Sequence, residues 1–282
     1  MIPADFDYVA PESIEDALTA LREGGEDAKL IAGGHSLLPL MKLRLAAPTL
    51  LVDLRRIPGL SGIERANGGY TLGAMTCHHL VAMEEGLGAA ALAAATIADQ
   101  QVRNRGTIGG TLAHGDPASD MPALLLAYEG TVSVTGPSGE REIAAADLFK
   151  DYLTTSIGDD EIITSVTLPA LEGYGHAYQK FNRRQEDWAM AAVSASVKKA
   201  SDGSCEDVRV GLTHMASVPL RATAVEEALR GGGLDANTIA HAAEQAAEGT
   251  SPPADLNATA DYKRHLARVL CRRALEEAVA GA

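Results

Sequence analysis

Two short segments of the sequence each place adjacent glycines between an apolar residue and a hydroxyl or imidazole side chain. They read AGGHS at residues 32–36 and TIGGT at residues 107–111. Because glycine has no Cβ, its backbone can approach an anion closely and adopt positive φ. Successive N–H groups in such a loop form an anion-binding nest. Two nests predict a site for the two halves of a pyrophosphate, and two simple tight turns are the alternative.

The charge and the cysteine content argue against several classes of function. Lysine and arginine number 24 against 38 aspartate and glutamate residues, which gives a formal net charge of −14. A chain this acidic is poorly suited to binding the phosphate backbone of nucleic acids. Cys77, Cys205 and Cys271 are far apart and form no C-x-x-C pair. We therefore expect no disulfide framework and no iron–sulfur or zinc site within this chain.

The sequence also predicts where the protein resides. Its first residues lack the basic and apolar regions of a secretory signal. The longest weakly apolar run, residues 86–98, is too short to cross a bilayer. Free thiols fit a reducing compartment, so we expect a cytoplasmic protein.

The order of apolar and turn residues predicts an α+β fold in three segments. Residues 1–57 are expected to hold a helix capped by Ser13 and two short strands. Residues 58–172 are expected to add strands, helices and a hairpin around the turn at 136–139. Residues 173–282 are expected to form antiparallel strands followed by two or three helices. Each of the first two segments contributes one of the glycine pairs.

Some polar groups admit both a functional and an ordinary structural interpretation. Residues 77–79 (CHH) could ligate a metal, but adjacent helical residues point in different directions, and an exposed helix start is the alternative. Thr76, before a helix that holds Leu80 and Met83, and Asp116, before Pro117, are each typical of a helix N-cap. Asp120 lies one turn later and is predicted to face a ligand or water.

A basic cluster in this acidic chain lies close to the single tryptophan. It spans residues 180–184 (KFNRR), and the tryptophan is Trp188. One interpretation is a cation and an aromatic ring that line a flavin or a partner surface, and the other is a solvated surface.

The other motifs that are typical of nucleotide binding or catalysis are absent from this sequence or stand in the wrong context. There is no P-loop, no G-x-S-x-G and no H-E-x-x-H. The G-x-G-x-x-A match at residues 86–91 follows a helical pattern rather than a strand, so it fails the context of a dinucleotide-binding fingerprint. The residues by themselves therefore predict a binder of an anion or a dinucleotide, without a proton-transfer pair.

Two longer stretches around the glycine pairs carry a family resemblance. They are AGGHSLLPLMKLRLAAP at 32–48 and TIGGTLAHGDPASDMPA at 107–123. Both resemble the FAD-binding medium subunit of molybdenum hydroxylases, and within that family the carbon monoxide dehydrogenase type most closely. The resemblance covers nearly the whole chain. It implies a two-part, PCMH-like FAD-binding region followed by a C-terminal domain of antiparallel sheet and helices.

The resemblance also implies which residues contact FAD. Segments 32–36 and 107–111 would hold the pyrophosphate, and Asp120 and Lys180 would match polar contacts of the family. Thr111 stands where many relatives have Asn or Asp, so that contact departs from the family pattern. The implied cofactor-binding residues are Ala32, Gly33, Gly34, His35, Ser36, Leu37, Ile97, Thr107, Ile108, Gly109, Gly110, Thr111, Asp120, Ile162, Lys180 and Trp188.

In such a complex the substrate is oxidised on another chain. The resemblance implies a large subunit with the molybdenum cofactor and a small subunit with [2Fe–2S] clusters, assembled as a dimer of heterotrimers. This chain would pass electrons through FAD to an acceptor such as a quinone, in a complex that could associate with the inner face of the membrane. One alternative is the same subunit in an aldehyde, purine or N-heterocycle dehydrogenase. Another is a flavin-free scaffold or nucleotide-binding module.

Overall fold

The chain builds three larger β-sheets in succession, and a separate two-stranded sheet at residues 149–155, in a computed structural model that describes residues 2–66 and 68–282. The first sheet is parallel, with strand order β1-β3-β2. Ser13 caps the first helix as predicted, because its Oγ accepts a hydrogen bond from the Asp16 amide at 3.0 Å. The elements of this segment are β1 (Asp7–Val9), α1 (Ile14–Gly24), β2 (Ala28–Ile31), α2 (Leu37–Lys42) and β3 (Leu50–Asp53).

The second sheet is antiparallel, with strand order β4-β5-β10-β6-β7. Its β6–β7 hairpin turns at residues 136–139, where the sequence predicts the turn. Its strands are β4 (Ile63–Ala66), β5 (Gly69–Gly73), β6 (Thr131–Gly136), β7 (Gly139–Ala144) and β10 (Ile162–Pro169). The other elements are α3 (His78–Met83), α4 (Ala89–Ala95), α5 (Gln100–Arg103), α6 (Ile108–His114), α7 (Asp120–Ala127), α8 (Ala145–Leu148), β8 (Phe149–Asp151) and β9 (Thr154–Thr155).

The third sheet is also antiparallel, with strand order β11-β12-β13-β14. The central strand β12 is an Ala/Val/Ser run that is buried over most of its length, since helices cover both faces of the sheet. A Cβ at Gly175 would overlap the carbonyl oxygen of Ala278, so β11 and the last helix pack in close contact. The elements are β11 (Tyr174–Phe181), β12 (Ala191–Lys199), β13 (Cys205–Thr213), β14 (Leu220–Arg221), α9 (Thr223–Leu229), α10 (Ala236–Ala243) and α11 (Ala260–Gly281).

Apolar side chains join the three segments. Ile162 of β10 packs with Ala17 and Val52 of the first segment. Tyr178 and Ala192 of the third sheet belong to the core that also fills the second segment. The predicted α+β class, with antiparallel sheet and helices in the last segment, is confirmed.

Three local predictions are wrong because contacts with distant residues decide these positions. Segment 107–111 is not a loop, since α6 begins at Ile108. Asp116 does not open a helix: its Oδ1 accepts from the Ala118 amide at 2.8 Å in a tight turn, and α7 begins only at Asp120. Thr76 does not cap α3, because its hydroxyl bonds instead to the backbone of Gly62.

Candidate functional site

The two glycine pairs lie side by side, although 75 positions separate Ala32 from Thr107 in the sequence. A Cβ added to Gly33 would overlap the carbonyl oxygen of Arg105 and lie 2.8 Å from the Cα of Gly106. A Cβ added to Gly110 would lie 3.6 Å from the Cβ of Ala32. The missing side chain at Gly33 is therefore what lets the two backbone segments touch.

The first glycine segment exposes backbone donors. Within the described part of the chain, no acceptor is found for the amides of Gly33, Gly34, His35 and Ser36. Gly34 has φ +79°, and its carbonyl accepts from the Leu38 amide at 2.9 Å as α2 begins. Four consecutive free N–H groups beside a positive-φ glycine make a nest for an anion. Free donors next to two glycines that carry no side chain fit a pyrophosphate group.

In the second glycine segment, the four consecutive amides at residues 108–111 are all hydrogen-bonded within the protein. The amides of Ile108 and Gly109 donate to the carbonyls of Thr76 and Ala74, at 3.0 and 2.8 Å. The amide of Gly110 donates to Thr107 Oγ1 at 3.1 Å, and that of Thr111 to the Thr107 carbonyl at the same distance. The prediction of a second nest is wrong, because this segment is a capped helix start. It contributes a smooth backbone surface and the Thr111 hydroxyl.

His78 is buried beside the contact between the two segments. Its backbone amide donates to the Gly106 carbonyl at 2.9 Å, whereas its ring Nδ1 has no hydrogen-bond partner among the described residues. Burial, together with the nearby His35, lowers the pKa of His78 to about 4. His78 is therefore neutral at pH 7.

We expect His78 to make the protein sensitive to acid. The unfolded chain binds a proton at this residue below about pH 6.5, whereas the folded chain resists protonation down to about pH 4. Stability therefore falls as the pH falls through this window, by about 2 kcal/mol between pH 7 and pH 5. Urea unfolding at the two pH values measures the loss, and His78→Phe should remove most of it. An equal loss in the variant would assign the effect to other groups.

Asp120 and Lys180 form a buried ion pair between α7 and β11. Lys180 Nζ lies 2.9 Å from Asp120 Oδ2, and the two side chains are 6% and 5% exposed. Tyr178 donates its hydroxyl to the other oxygen, Asp120 Oδ1, at 2.5 Å. Burial, followed by the charge of Asp120, raises the pKa of Tyr178 well above its usual value. Asp120 thus faces two protein groups rather than open water.

Tyr178 was missed by the sequence reasoning, although a signal was available. Residues two apart on a strand share one face of the sheet. Tyr178 precedes Lys180 by two positions in β11. Their two side chains therefore point to the same face of the sheet. Arg105, whose carbonyl meets Gly33, and His78 had no comparable signal, because only the tertiary fold brings them to the glycine segments.

The remaining predicted residues occupy different surroundings. Trp188 is 53% exposed on the loop between β11 and β12. Ile97 is half-buried after α4, and its carbonyl accepts from Arg103. Ile162 has no exposed side-chain surface because it packs into the core. In this structure neither the side chain nor the backbone of Ile162 is exposed, and its contact with the cofactor stays a prediction.

Residues 77–79, which by sequence could ligate a metal, make other contacts in the structure. Cys77 Sγ contacts the carbonyl of Asn104, and the ring of His79 contacts Gln100. Across residues 2–66 and 68–282, no group of three or more His, Cys, Asp or Glu side chains is arranged to hold a metal ion.

None of the helices in the same residues combines the length and apolar character needed to cross a bilayer.

Comparison with known proteins relates this site to a family. The "FAD binding domain in molybdopterin dehydrogenase" matches residues 4–171, and the "CO dehydrogenase flavoprotein C-terminal domain" matches residues 176–278. The carbon monoxide dehydrogenase medium chain of Afipia carboxidovorans is 42% identical, over 100% of this chain and 99% of its own. The 6-hydroxypseudooxynicotine dehydrogenase complex subunit alpha of Paenarthrobacter nicotinovorans is 37% identical, over 99% and 96%.

A solved structure agrees over the full length. The chain from reconstituted CO dehydrogenase of Oligotropha carboxidovorans superposes with a TM-score of 0.96 at 40% identity, and the match covers 100% of both chains. The nest at residues 33–36 falls within the matched FAD-binding domain. The chain therefore belongs to the family of FAD-binding flavoprotein subunits of the molybdopterin dehydrogenases, as its glycine motifs predict.

Proposed function

We propose that this chain is the electron-transferring FAD subunit of an aerobic carbon monoxide dehydrogenase. In this proposal a large partner with the molybdenum cofactor oxidises CO, and a small iron–sulfur partner delivers the electrons. The observation that carries the proposal is the nest at residues 33–36 in a chain that is similar over its full length to carbon monoxide dehydrogenase medium chains. FAD, when bound, supplies the redox chemistry by taking up electrons and releasing them to an acceptor.

The chain's own residues would bind and orient the cofactor. Residues 33–36 would hold the pyrophosphate through their free amides, with Ala32 and Leu37 at the two ends of the nest, and the start of α6, Thr107 to Thr111, would support it from the side. The Asp120–Lys180 pair would place a fixed dipole near the ring system. Ile97 and Trp188 would flank the cofactor, and Ile162 would support the site from the core. No residue here needs to act as a general acid or base.

The choice of substrate rests on a narrow margin, since relatives with different substrates are almost equally similar. Identity is 42% to one carbon monoxide dehydrogenase medium chain and 39% to a nicotine 6-hydroxylase medium subunit of Paenarthrobacter nicotinovorans. The second candidate is therefore the same subunit in a dehydrogenase of an N-heterocycle or aldehyde. The proposal also includes a quinone acceptor, a dimer of heterotrimers and a cytoplasmic location at the inner face of the membrane.

We also propose that the chain folds in three units, at residues 1–57, 58–172 and 173–282.

We expect the purified chain to act only as an electron conduit. It should carry a flavin that absorbs near about 450 nm and is bleached by dithionite. It should show no CO-dependent dye reduction until both partners are added, because its three cysteines cannot supply the eight ligands of two [2Fe–2S] clusters. Metal analysis is the control. Stoichiometric iron or molybdenum in the isolated chain, or CO oxidation without partners, would refute the proposal.

The second candidate is tested with the assembled complex. Dye reduction is measured with CO, an aldehyde and an N-heterocycle as alternative electron donors. Activity with CO alone supports the first candidate, and activity with an organic substrate alone supports the second. A purified chain that retains no flavin would point to the flavin-free alternative.

A further inference from the structure

The last helix, α11, carries a fully buried lysine. Lys263 of α11 is 0% exposed, although lysine is almost never fully buried unless it is paired. Its Nζ lies 2.6 Å from Asp255 Oδ2 and 3.2 Å from Nε2 of His214. Because an ammonium group can only donate, Nε2 of His214 is the acceptor. The His214 ring is therefore neutral, with its proton on Nδ1.

His214 connects two segments that carry predicted flavin contacts. Its Nδ1–H donates to the carbonyl of Ala189 at 2.6 Å, directly after Trp188. Its backbone amide donates to the carbonyl of Pro117 at 2.8 Å, just before α7 and Asp120. The residue has φ +63°, a conformation that non-glycine residues seldom adopt outside functional or tightly constrained positions.

The loop that carries Trp188 is held by core packing of Ala189 and by a small number of hydrogen bonds. At its base, the Met190 amide donates to the Phe181 carbonyl at 2.9 Å. Within the loop, the Asn182 side chain bonds to the carbonyls of Gln185 and Asp187 at 3.3 and 3.4 Å. The bond from His214 to Ala189 is thus the side-chain contact that ties the Trp188 end of this loop to the third sheet.

We propose that Lys263 is a positioning residue for the cofactor site, which holds the His214 ring as the Nδ1–H tautomer that fixes Ala189 and hence Trp188. The position of the loop follows from contacts within this chain, and only its effect on flavin rests on the proposed function. Asp255 is ionised at neutral pH and can serve as the counter-ion of Lys263. Burial would raise the pKa of Asp255, but hydrogen bonds from Lys263 and from two backbone amides lower it to about 2.

Protonation of His214 would break the arrangement. The protonated ring would place a second N–H and a positive charge against the ammonium of Lys263. The repulsion between the two cations would turn the ring out of this position, and the bond from Nδ1–H to Ala189 would be lost with it. Burial lowers the pKa of His214, and the charge of Lys263 acts in the same direction, whereas Asp255, Asp116 and the Ala189 carbonyl oppose it. The net direction is downward from 6.5, so the loop should be held at neutral pH and released in acid.

The test uses Trp188, which is the only tryptophan and therefore reports the loop directly. In the full chain stripped of flavin, Lys263→Met should shift the emission to the red. Trp188 is 53% exposed, so release should raise the acrylamide quenching constant about twofold. The matched control is Lys198→Met, which breaks a 2.6 Å ion pair with Glu206 at the far end of β12. Far-UV circular dichroism verifies that both variants are folded.

A pH titration of the unmodified chain gives an independent measurement. Between about pH 8 and pH 5.5, its emission should shift as in Lys263→Met, with a midpoint below 6.5, and folded Lys263→Met should show no further shift. Unchanged emission in folded Lys263→Met, or an equal change in Lys198→Met, overturns the proposal. If Lys263→Met does not fold, the titration decides, and a pH-independent emission of the folded unmodified chain overturns it.

Flavin affinity separates this inference from the proposed function. We expect the FAD dissociation constant to rise about tenfold in Lys263→Met, because the loop that carries Trp188 then has to become ordered when FAD binds. A mobile loop with unchanged FAD affinity would overturn the link between Lys263 and the cofactor. Failure of the proposed function would be recognised differently, as an unmodified chain that binds no FAD at all.

Discussion

Gly33→Ala is expected to remove most of the bound flavin and to lower the free energy of unfolding by about 1–3 kcal/mol. The added methyl group would overlap the carbonyl oxygen of Arg105 and come within 2.8 Å of the Cα of Gly106. Both neighbours are backbone, so neither can rotate away. The two segments must separate, which distorts the nest of free amides at residues 33–36. Absorbance of the purified flavin and urea unfolding measure the two effects.

Gly233→Ala is the matched control for this steric effect. A Cβ there would meet only Asp235 Oδ2, at 3.4 Å, which is an ordinary van der Waals contact. We expect this variant to keep its flavin and its stability. Full FAD occupancy in Gly33→Ala would show that the close approach of the two segments is not needed for binding.

Lys180→Met is expected to lower the free energy of unfolding by about 3–5 kcal/mol, because it leaves the buried carboxylate of Asp120 without its counter-ion. A solvated surface was one of the two interpretations of residues 180–184 in the sequence, and loss of a solvated lysine would cost little stability. The 6% exposure of its side chain reverses that expectation. If FAD lies nearby, loss of this cation should also shift the flavin midpoint potential to more negative values. Urea unfolding and a redox titration measure the two quantities.

Two further variants test the charge explanation for Lys180. The double variant Asp120→Asn, Lys180→Met should be more stable than Lys180→Met, since no unpaired charge remains buried and the amide oxygen introduced at position 120 can still accept from Tyr178. Lys198→Met breaks an exposed pair, and such pairs contribute only about 0–1 kcal/mol. A loss in Lys180→Met no larger than that in Lys198→Met would contradict a buried pair.

Predictions that depended on neighbours in sequence agree well with the structure. The cap at Ser13 and the hairpin turn at residues 136–139 require only a few consecutive residues with suitable backbone preferences. The long helix α11 is similar, because its apolar spacing extends over many turns. In each case the interactions that form the element lie within the element itself.

Several predictions at the candidate site were wrong, because residues distant in sequence decide which hydrogen bonds form there. The same Gly-Gly pattern gives a free nest at residues 33–36 and a capped helix start at Thr107. The difference arises because the carbonyls of Ala74 and Thr76 take up the donors of the second segment. Asp116 was expected to cap a helix, and it instead stabilises a turn that precedes α7.

The sequence by itself determined the family, the α+β class and the two glycine segments, since all three are encoded in residue types at fixed local spacing. Only the tertiary structure decided that Gly33 touches Arg105, that Asp120 pairs with Lys180 and that Lys263 is buried against His214. Such contacts join residues far apart in the chain. They depend on how sheets and helices pack, which no short-range pattern of residue types specifies.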